Sequence, residues 1–164
     1  MFLSSAGFHS HAVPIEEWQP ATGAMFLVDT KEAKGYVVNP DGAYAEVPVV
    51  LGQNSTVHYL GRTYKATTPE AAWVVKSVMT QGDRITFGHD GTFMRLFRDG
   101  SDYTSYGIHT HANIERMLES DNHFRSMGCI LVRKEVLDKL QQAYEQNGKS
   151  LQVVTVYGMG DEVL

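Results

Sequence analysis

The chain has little of several features that define whole classes of protein. Its 164 residues contain a single cysteine, so no intrachain disulfide can form. Lys and Arg total 14 against 19 Asp and Glu, and no basic run stands out. This balance weighs against nucleic acid or an anionic membrane surface as the main partner. No apolar stretch approaches the roughly 18 residues that cross a bilayer, so we expect no membrane span in this chain.

The N-terminal segment lacks the marks of a secretion signal. MFLSSAGFHSHAVP has neither a basic n-region nor a continuous apolar h-region, so any leader would be absent from this chain. Residues 1–23 also show little hydrophobic periodicity, and we interpret them as an N-terminal arm or linker remnant. The remaining residues, 24–164, have the length and composition of one globular domain that buries a core without disulfides.

After this arm the pattern favours β-structure. Three apolar runs predict strands near 24–30, 34–39 and 43–51, arranged as a meander. The sequence Asn-Pro-Asp-Gly between the last two is a strong turn signal. The closing run LQVVTVYG predicts a buried strand near the C-terminus. The chain is therefore expected to be mainly β.

Two central segments are less uniform. Thr68 before Pro69 suits a helix N-cap with proline at the first position, which predicts a short helix over 69–79. The apolar residues inside that range suit a strand equally well, so both structures stay open. The next segment predicts a hairpin that turns at His89-Asp90-Gly91 and is closed by Asp99-Gly100.

The clearest helix is predicted at 133–146, where apolar residues share one face and charged residues the other. Asn147-Gly148 is a typical helix end. A second, shorter helix is indicated in the polar loop after His109, where Ile114 and Leu118 fall at helical spacing. This short helix would serve either as a lid over a site or as a plain surface helix.

The single cysteine has surroundings that suit a nucleophile. Gly128 before Cys129 allows a tight turn, brings a substrate carbonyl close and leaves amide N–H groups free for an oxyanion. A free thiol has a pKa of about 8.5 and needs a base, and His109, at the end of an apolar strand, is the best placed histidine. The alternative is an inert cysteine that packs as a small hydrophobic residue.

The spacing of these residues adds a family resemblance. Ile108-His109, then residues 110–125, then Ser126-Met127-Gly128-Cys129-Ile130 resembles the L,D-transpeptidase (YkuD-type) catalytic domain. That family's signature is a histidine followed, after a loop of this length, by Ser/Thr-His-Gly-Cys. AMFLVDTKEAKGYVV, VPVVLG and Thr68-Pro69 are weaker matches, and the resemblance spans 24–164.

Three residues depart from the family pattern. Met127 stands where a second histidine is usual, Leu131 where Arg or Asn usually follows Cys-Ile, and Thr110 where Gly normally follows the first histidine. The expected nucleophile and base are both retained. The chain therefore resembles a divergent member, in which the details of substrate binding are altered.

The resemblance implies a sandwich- or barrel-like, mainly β fold with one or two peripheral helices, and a set of site residues. It implies that Cys129 forms a thioester with a peptidoglycan stem peptide and that His109 is its base, with no metal and no organic cofactor. Gly128 and Ser126 would support the oxyanion and the turn, and the expected substrate contacts are Tyr106, His111, Arg125 and Met127.

The expected partners are donor and acceptor stem peptides, met in the periplasm or cell envelope rather than the cytoplasm, by a monomer. An amine acceptor gives a 3→3 cross-link, whereas water makes the enzyme an L,D-carboxypeptidase. Two alternatives keep the fold: an inactive cell-wall-binding relative, and an effector delivered into competitor cells. Another alternative is a zinc site formed by three histidines and the cysteine: His109, His111, His123 and Cys129.

Overall fold

A computed structural model describes residues 10–159 of the chain. The described residues are mainly β, with a curled sheet and two helices, which confirms the predicted fold class. The strands are β1 His11–Ala12, β2 Met25–Asp29, β3 Lys34–Val38, β4 Ala43–Pro48, β5 Leu51–Gly52, β6 Thr56–Tyr59, β7 Arg62–Lys65, β8 Ala71–Thr80, β9 Thr92–Arg98, β10 Asp102–His109, β11 Phe124–Ser126, β12 Ile130–Leu131 and β13 Leu151–Val156. The helices are α1 Ile114–Glu119 and α2 Lys134–Gln146.

Nine of these strands form one sheet in the order β1-β4-β3-β2-β13-β8-β9-β10-β12. The predicted meander is confirmed, since β2, β3 and β4 pair antiparallel in sequence. The strand predicted near the C-terminus is also confirmed as β13, which lies between β2 and β8. Its side chains alternate between buried and more exposed positions, because only one face of this strand meets the core.

The helix predicted over 69–79 is wrong, and the strand interpretation is right. Residues 71–80 form β8, which pairs with β13 on one side and β9 on the other. Trp73 and Val75 alternate inward and are fully enclosed by the core. Neighbouring strands on both sides outweigh a local cap signal, because they satisfy the backbone and bury the apolar face together.

The predicted hairpin is correct at one end only. Asp99 and Gly100, both with positive φ, form the turn between β9 and β10 as expected. The strand that pairs with β9 on its other side is β8, so residues 81–91 form a long connection rather than a tight turn. Within it the Phe87 N–H donates to the Asp83 carbonyl, and the chain turns over the end of β10.

Both predicted helices are present. Helix α2 packs a face of five buried residues against the core and ends at Asn147, followed by Gly148 with φ +68°. Helix α1 places Ile114 in a small buried cluster with Val50 and Leu131. In the described part of the chain, neither helix has the length and apolar character needed to cross a membrane.

The described part of the predicted arm, residues 10–23, packs on the domain instead of extending away from it. Strand β1 pairs in parallel with β4 and adds an edge to the sheet. Trp18 is 1% exposed and donates its indole N–H to the Ala43 carbonyl at 3.0 Å. Residues 1–9 and 160–164 lie outside the described residues, and the boundary at residue 24 stays a prediction.

Candidate active site

Strand register brings the predicted nucleophile and base to one face of the sheet. β10 and β12 pair in parallel, with Ile108 opposite Ile130 and His109 opposite Leu131. Cys129 comes one residue before β12, and its thiol lies within hydrogen-bond reach of the Gly107 backbone. Opposed residues of paired strands project to the same face, and side chains alternate along each strand. Cys129 and His109 therefore lie diagonally across adjacent strands on the same face, a separation that side chains span.

The backbone turn before Cys129 depends on glycine. Gly128 has φ +128°, and a Cβ at this position would lie 2.8 Å from the Tyr106 ring. The Ser126 hydroxyl accepts a hydrogen bond from the Gly128 N–H at 3.1 Å and donates one to the Cys129 carbonyl at 2.7 Å. Ser126 therefore hydrogen-bonds to the backbone on both sides of the turn, and its part in a reaction stays a prediction.

Thr68 also supports this turn. The sequence had predicted it as a helix N-cap, and this contact was not expected. Its buried hydroxyl donates to the Gly128 carbonyl and accepts from the Gly52 N–H, both at 2.8 Å. One side chain thus satisfies two buried backbone groups and joins β5 to the cysteine turn. The signal available in the sequence was the Thr68-Pro69 pair noted in the family resemblance.

His109 is held in one tautomer at the end of β10. It is 4% exposed, and its Nδ1 lies 2.6 Å from the carbonyl oxygen of Thr110. A carbonyl only accepts, so Nδ1 carries the hydrogen and the lone pair of the neutral ring is on Nε2. The rings of Phe87 and Phe93 pack against the imidazole at centroid distances of 4.6 and 5.8 Å.

Burial keeps both side chains uncharged at neutral pH. It lowers the pKa of His109 to about 4, although the Thr110 carbonyl acts in the opposite direction. Burial raises the pKa of the Cys129 thiol to about 11, and the Gly107 backbone and the Arg95 charge partly offset this rise. Among residues 10–159, no hydrogen bond joins His109 to Cys129. The resting pair is thus thiol and imidazole, not thiolate and imidazolium.

The lowered pKa of His109 has a consequence for stability that can be measured. An unfolded histidine has a pKa near 6.5, so the unfolded chain binds a proton that the folded chain resists. We expect the neutral His109 to make its whole contribution to the free energy of unfolding above pH 6.5. The free energy of unfolding should then fall by about 3 kcal/mol as pH drops towards 4. Urea titrations of the native chain and His109→Gln across this range check it. An equal loss in both proteins would contradict the assignment to His109.

The four predicted substrate contacts are spread around the turn. Tyr106 packs edge-on against Trp73 at 5.7 Å and lies between the core and Gly128. Met127 is exposed, and its carbonyl accepts from the Tyr64 hydroxyl at 3.0 Å. Arg125 is exposed on β11, and His111 is half-buried at the start of the loop after β10. Their roles in binding a substrate stay predictions.

The predicted zinc alternative does not match this geometry. The His111 Nδ1 accepts from the Asn113 N–H at 2.9 Å, and the His123 Nε2 lies 2.9 Å from the Leu118 carbonyl. In the part of the chain that the structure describes, no three His, Cys, Asp or Glu side chains are grouped so as to hold a metal ion. His109, His111, His123 and Cys129 therefore do not form a joint site here.

Comparison with known proteins supports the fold. No protein-family model matches the chain, and no curated protein matches it significantly. Among solved structures, it is similar to an L,D-transpeptidase from Xylanimonas cellulosilytica, at 17% identity and a TM-score of 0.58, covering 85% of this chain and 63% of that one. Bdellovibrio bacteriovorus Bd1075 matches at 16% identity, a TM-score of 0.57 and coverage of 87% and 51%.

An L,D-transpeptidase from Stackebrandtia nassauensis matches at 18% identity and a TM-score of 0.52, with coverage of 86% of this chain and 59% of that one. The chain thus spans between half and two-thirds of each of these three structures. At such identities the likeness shows the fold alone, which is that of L,D-transpeptidase domains.

Proposed function

We propose that this protein is a cysteine acyltransferase of the L,D-transpeptidase type, acting on peptidoglycan stem peptides in the periplasm or cell envelope. The observation that carries the proposal is the register of β10 and β12, which puts Cys129 and His109 on one face. The glycine turn before the cysteine and the fixed tautomer of the histidine support it. The fold likeness to L,D-transpeptidases supplies the substrate class.

The proposed reaction has two halves. The Cys129 thiol loses its proton to His109 Nε2 as sulfur attacks the amide carbonyl before the D-Ala of a donor stem. Backbone N–H groups at the Gly128 turn hold the oxyanion of the tetrahedral intermediate. The C–N bond then breaks, His109 returns the proton to the leaving amine of D-Ala, and a thioester remains on Cys129.

The second half releases the enzyme. An amine of an acceptor stem attacks the thioester carbonyl, loses a proton to His109, and displaces the thiol, giving a 3→3 cross-link. Water in place of the amine would give an L,D-carboxypeptidase. A non-catalytic cell-wall-binding protein is the second candidate function, because the pKa of the thiol is raised to about 11 and that of the imidazole lowered to about 4, which opposes proton transfer at rest.

Intact-protein mass spectrometry with a carbapenem tests the proposal. The strained amide of the antibiotic should acylate an activated thiol, giving one adduct per native chain and none for Cys129→Ala. Ser126→Ala serves as the matched variant, because it leaves the thiol in place and removes only the hydroxyl that bonds the turn. It should form the same adduct more slowly.

Muropeptide digests separate the remaining functions. Release of D-Ala with a cross-linked product identifies the transpeptidase, and release without cross-linking identifies the carboxypeptidase. Binding of muropeptides by folded native protein, with neither an adduct nor D-Ala release, would replace the proposal with the binding-protein alternative.

A further inference from the structure

Three strands place one cation in line with the cysteine. Arg95 on β9 is the cross-strand partner of Gly107 on β10, and Cys129 lies on the far side of Gly107. All three positions project to the same face of the sheet. Gly107 has no side chain, and a Cβ there would lie 2.3 Å from the Phe93 ring. The Phe93 ring therefore lies directly over Gly107, in the middle of the row between the guanidinium and the sulfur.

The guanidinium of Arg95 is fixed from several directions. It lies over the rings of Tyr103 and Phe93, with its central carbon 4.5 and 5.1 Å from their centroids. One Nη donates to the Thr104 carbonyl at 2.6 Å, and the other lies 3.5 Å from the Met79 sulfur. A planar cation held by two rings and a backbone oxygen loses little freedom when it acts on a neighbouring group.

Two other titratable groups near the thiol, His109 and Tyr64, are uncharged at neutral pH. His109 on β10 is a neutral imidazole because of its burial. Tyr64 on β7 is a phenol whose pKa is raised, mainly by burial and partly by Tyr106 and Cys129. Among the charged side chains of residues 10–159, Arg95 is the one whose charge acts on the Cys129 thiol, and it lowers the pKa.

We propose that Arg95 is the electrostatic positioning residue of the site, a fixed cation that stabilises the thiolate of Cys129 through space along the row that Arg95, Gly107 and Cys129 form. The inference rests on the proposed function in taking Cys129 as the nucleophile. As sulfur loses its proton to the base, negative charge appears on Sγ, and a permanent cation on the same face lowers the free energy of that state. Arg95 donates no proton and forms no bond in this step.

Alkylation by iodoacetamide tests the inference without any cell-wall substrate. The thiolate displaces iodide and forms an S–C bond, so below the thiol pKa the rate follows the thiolate fraction. At about pH 8, Arg95→Met is expected to react about tenfold more slowly than the native chain, because a smaller fraction of the thiol is ionised. Arg95→Lys keeps the charge and should recover most of the rate.

Lys76→Met is the matched control. It removes one cation that also lies over an aromatic ring, Phe97, from the neighbouring strand β8, and it should leave the alkylation rate unchanged. Equal alkylation rates for the native chain and folded Arg95→Met would overturn the inference. An Arg95→Lys rate as slow as that of Arg95→Met would also overturn it, because the charge is kept in that variant. Neither result depends on muropeptide turnover, so failure here and failure of the proposed function are distinguishable.

Discussion

His109→Gln is expected to lower kcat for acyl transfer by about 10²- to 10⁴-fold, the range typical of a lost general base. Glutamine is an uncharged polar residue of similar size that fits beside the Thr110 carbonyl, which accepts a hydrogen bond from the imidazole Nδ1 at 2.6 Å. What it lacks is a basic nitrogen at the position of Nε2. The local fold should therefore be kept while the proton acceptor is lost, which separates a chemical role of His109 from a packing role.

The pH profile makes this prediction sharper. Because burial lowers the pKa of His109 to about 4, the native enzyme should keep its rate well below pH 6.5 and lose it only as pH approaches 4. His109→Gln should show no such acid limb. His58→Gln is the control, since His58 is exposed on β6 and bonds Thr63 at 2.9 Å. Native-like rates in His109→Gln would remove this residue as the base.

Much of the fold follows from local patterns in the sequence. The apolar residues of α2 recur at helical spacing. Strands β3 and β4 of the meander are separated by Asn-Pro-Asp-Gly, a sequence typical of turns. Such signals need only neighbours along the chain. The segment of β8 was ambiguous because its local cap signal favoured a helix, whereas pairing with β13 and β9 favoured a strand. The distant partners determined the outcome.

The candidate site divides in the same way. Gly128-Cys129 and His109 can be recognised in the sequence, because the signal consists of residue types and of their spacing along the chain. The residues that act on them are not. Arg95 comes into one row with Gly107 only through the register of β9 with β10, and Phe87 reaches His109 only because residues 81–91 cross over the end of that strand. Neither contact has a sequence period, so neither could be predicted before the topology was known.

The second large effect is expected for Gly52→Ala, which concerns the support of the site. A Cβ on Gly52 would lie 1.8 Å from the Ala66 carbonyl oxygen and 2.8 Å from the Thr68 nitrogen. Both atoms belong to the backbone, so no side chain can rotate away, and β5 or the segment after β7 must move. We expect a loss of about 3 kcal/mol in the free energy of unfolding, the upper part of the range for overpacking.

Urea denaturation of Gly52→Ala beside Gly82→Ala measures the effect. Gly82 has open space around the position of its Cβ, so its substitution should change stability by less than about 0.5 kcal/mol. Equal free energies of unfolding for the two variants would show that β5 can move to accommodate the Cβ without loss of stability.

Movement of Gly52 is also expected to disturb the turn that carries Cys129, because the Gly52 N–H donates to the Thr68 hydroxyl and that hydroxyl donates to the Gly128 carbonyl. Folded Gly52→Ala at low temperature should therefore acylate more slowly than its stability alone explains. Thr68→Ser keeps both hydrogen bonds and should acylate at nearly the native rate. Slow acylation in Gly52→Ala but not in Thr68→Ser would mean that the turn carrying Cys129 is positioned from β5 through one hydroxyl. Native-like acylation in folded Gly52→Ala would mean that Ser126 alone suffices to hold the turn.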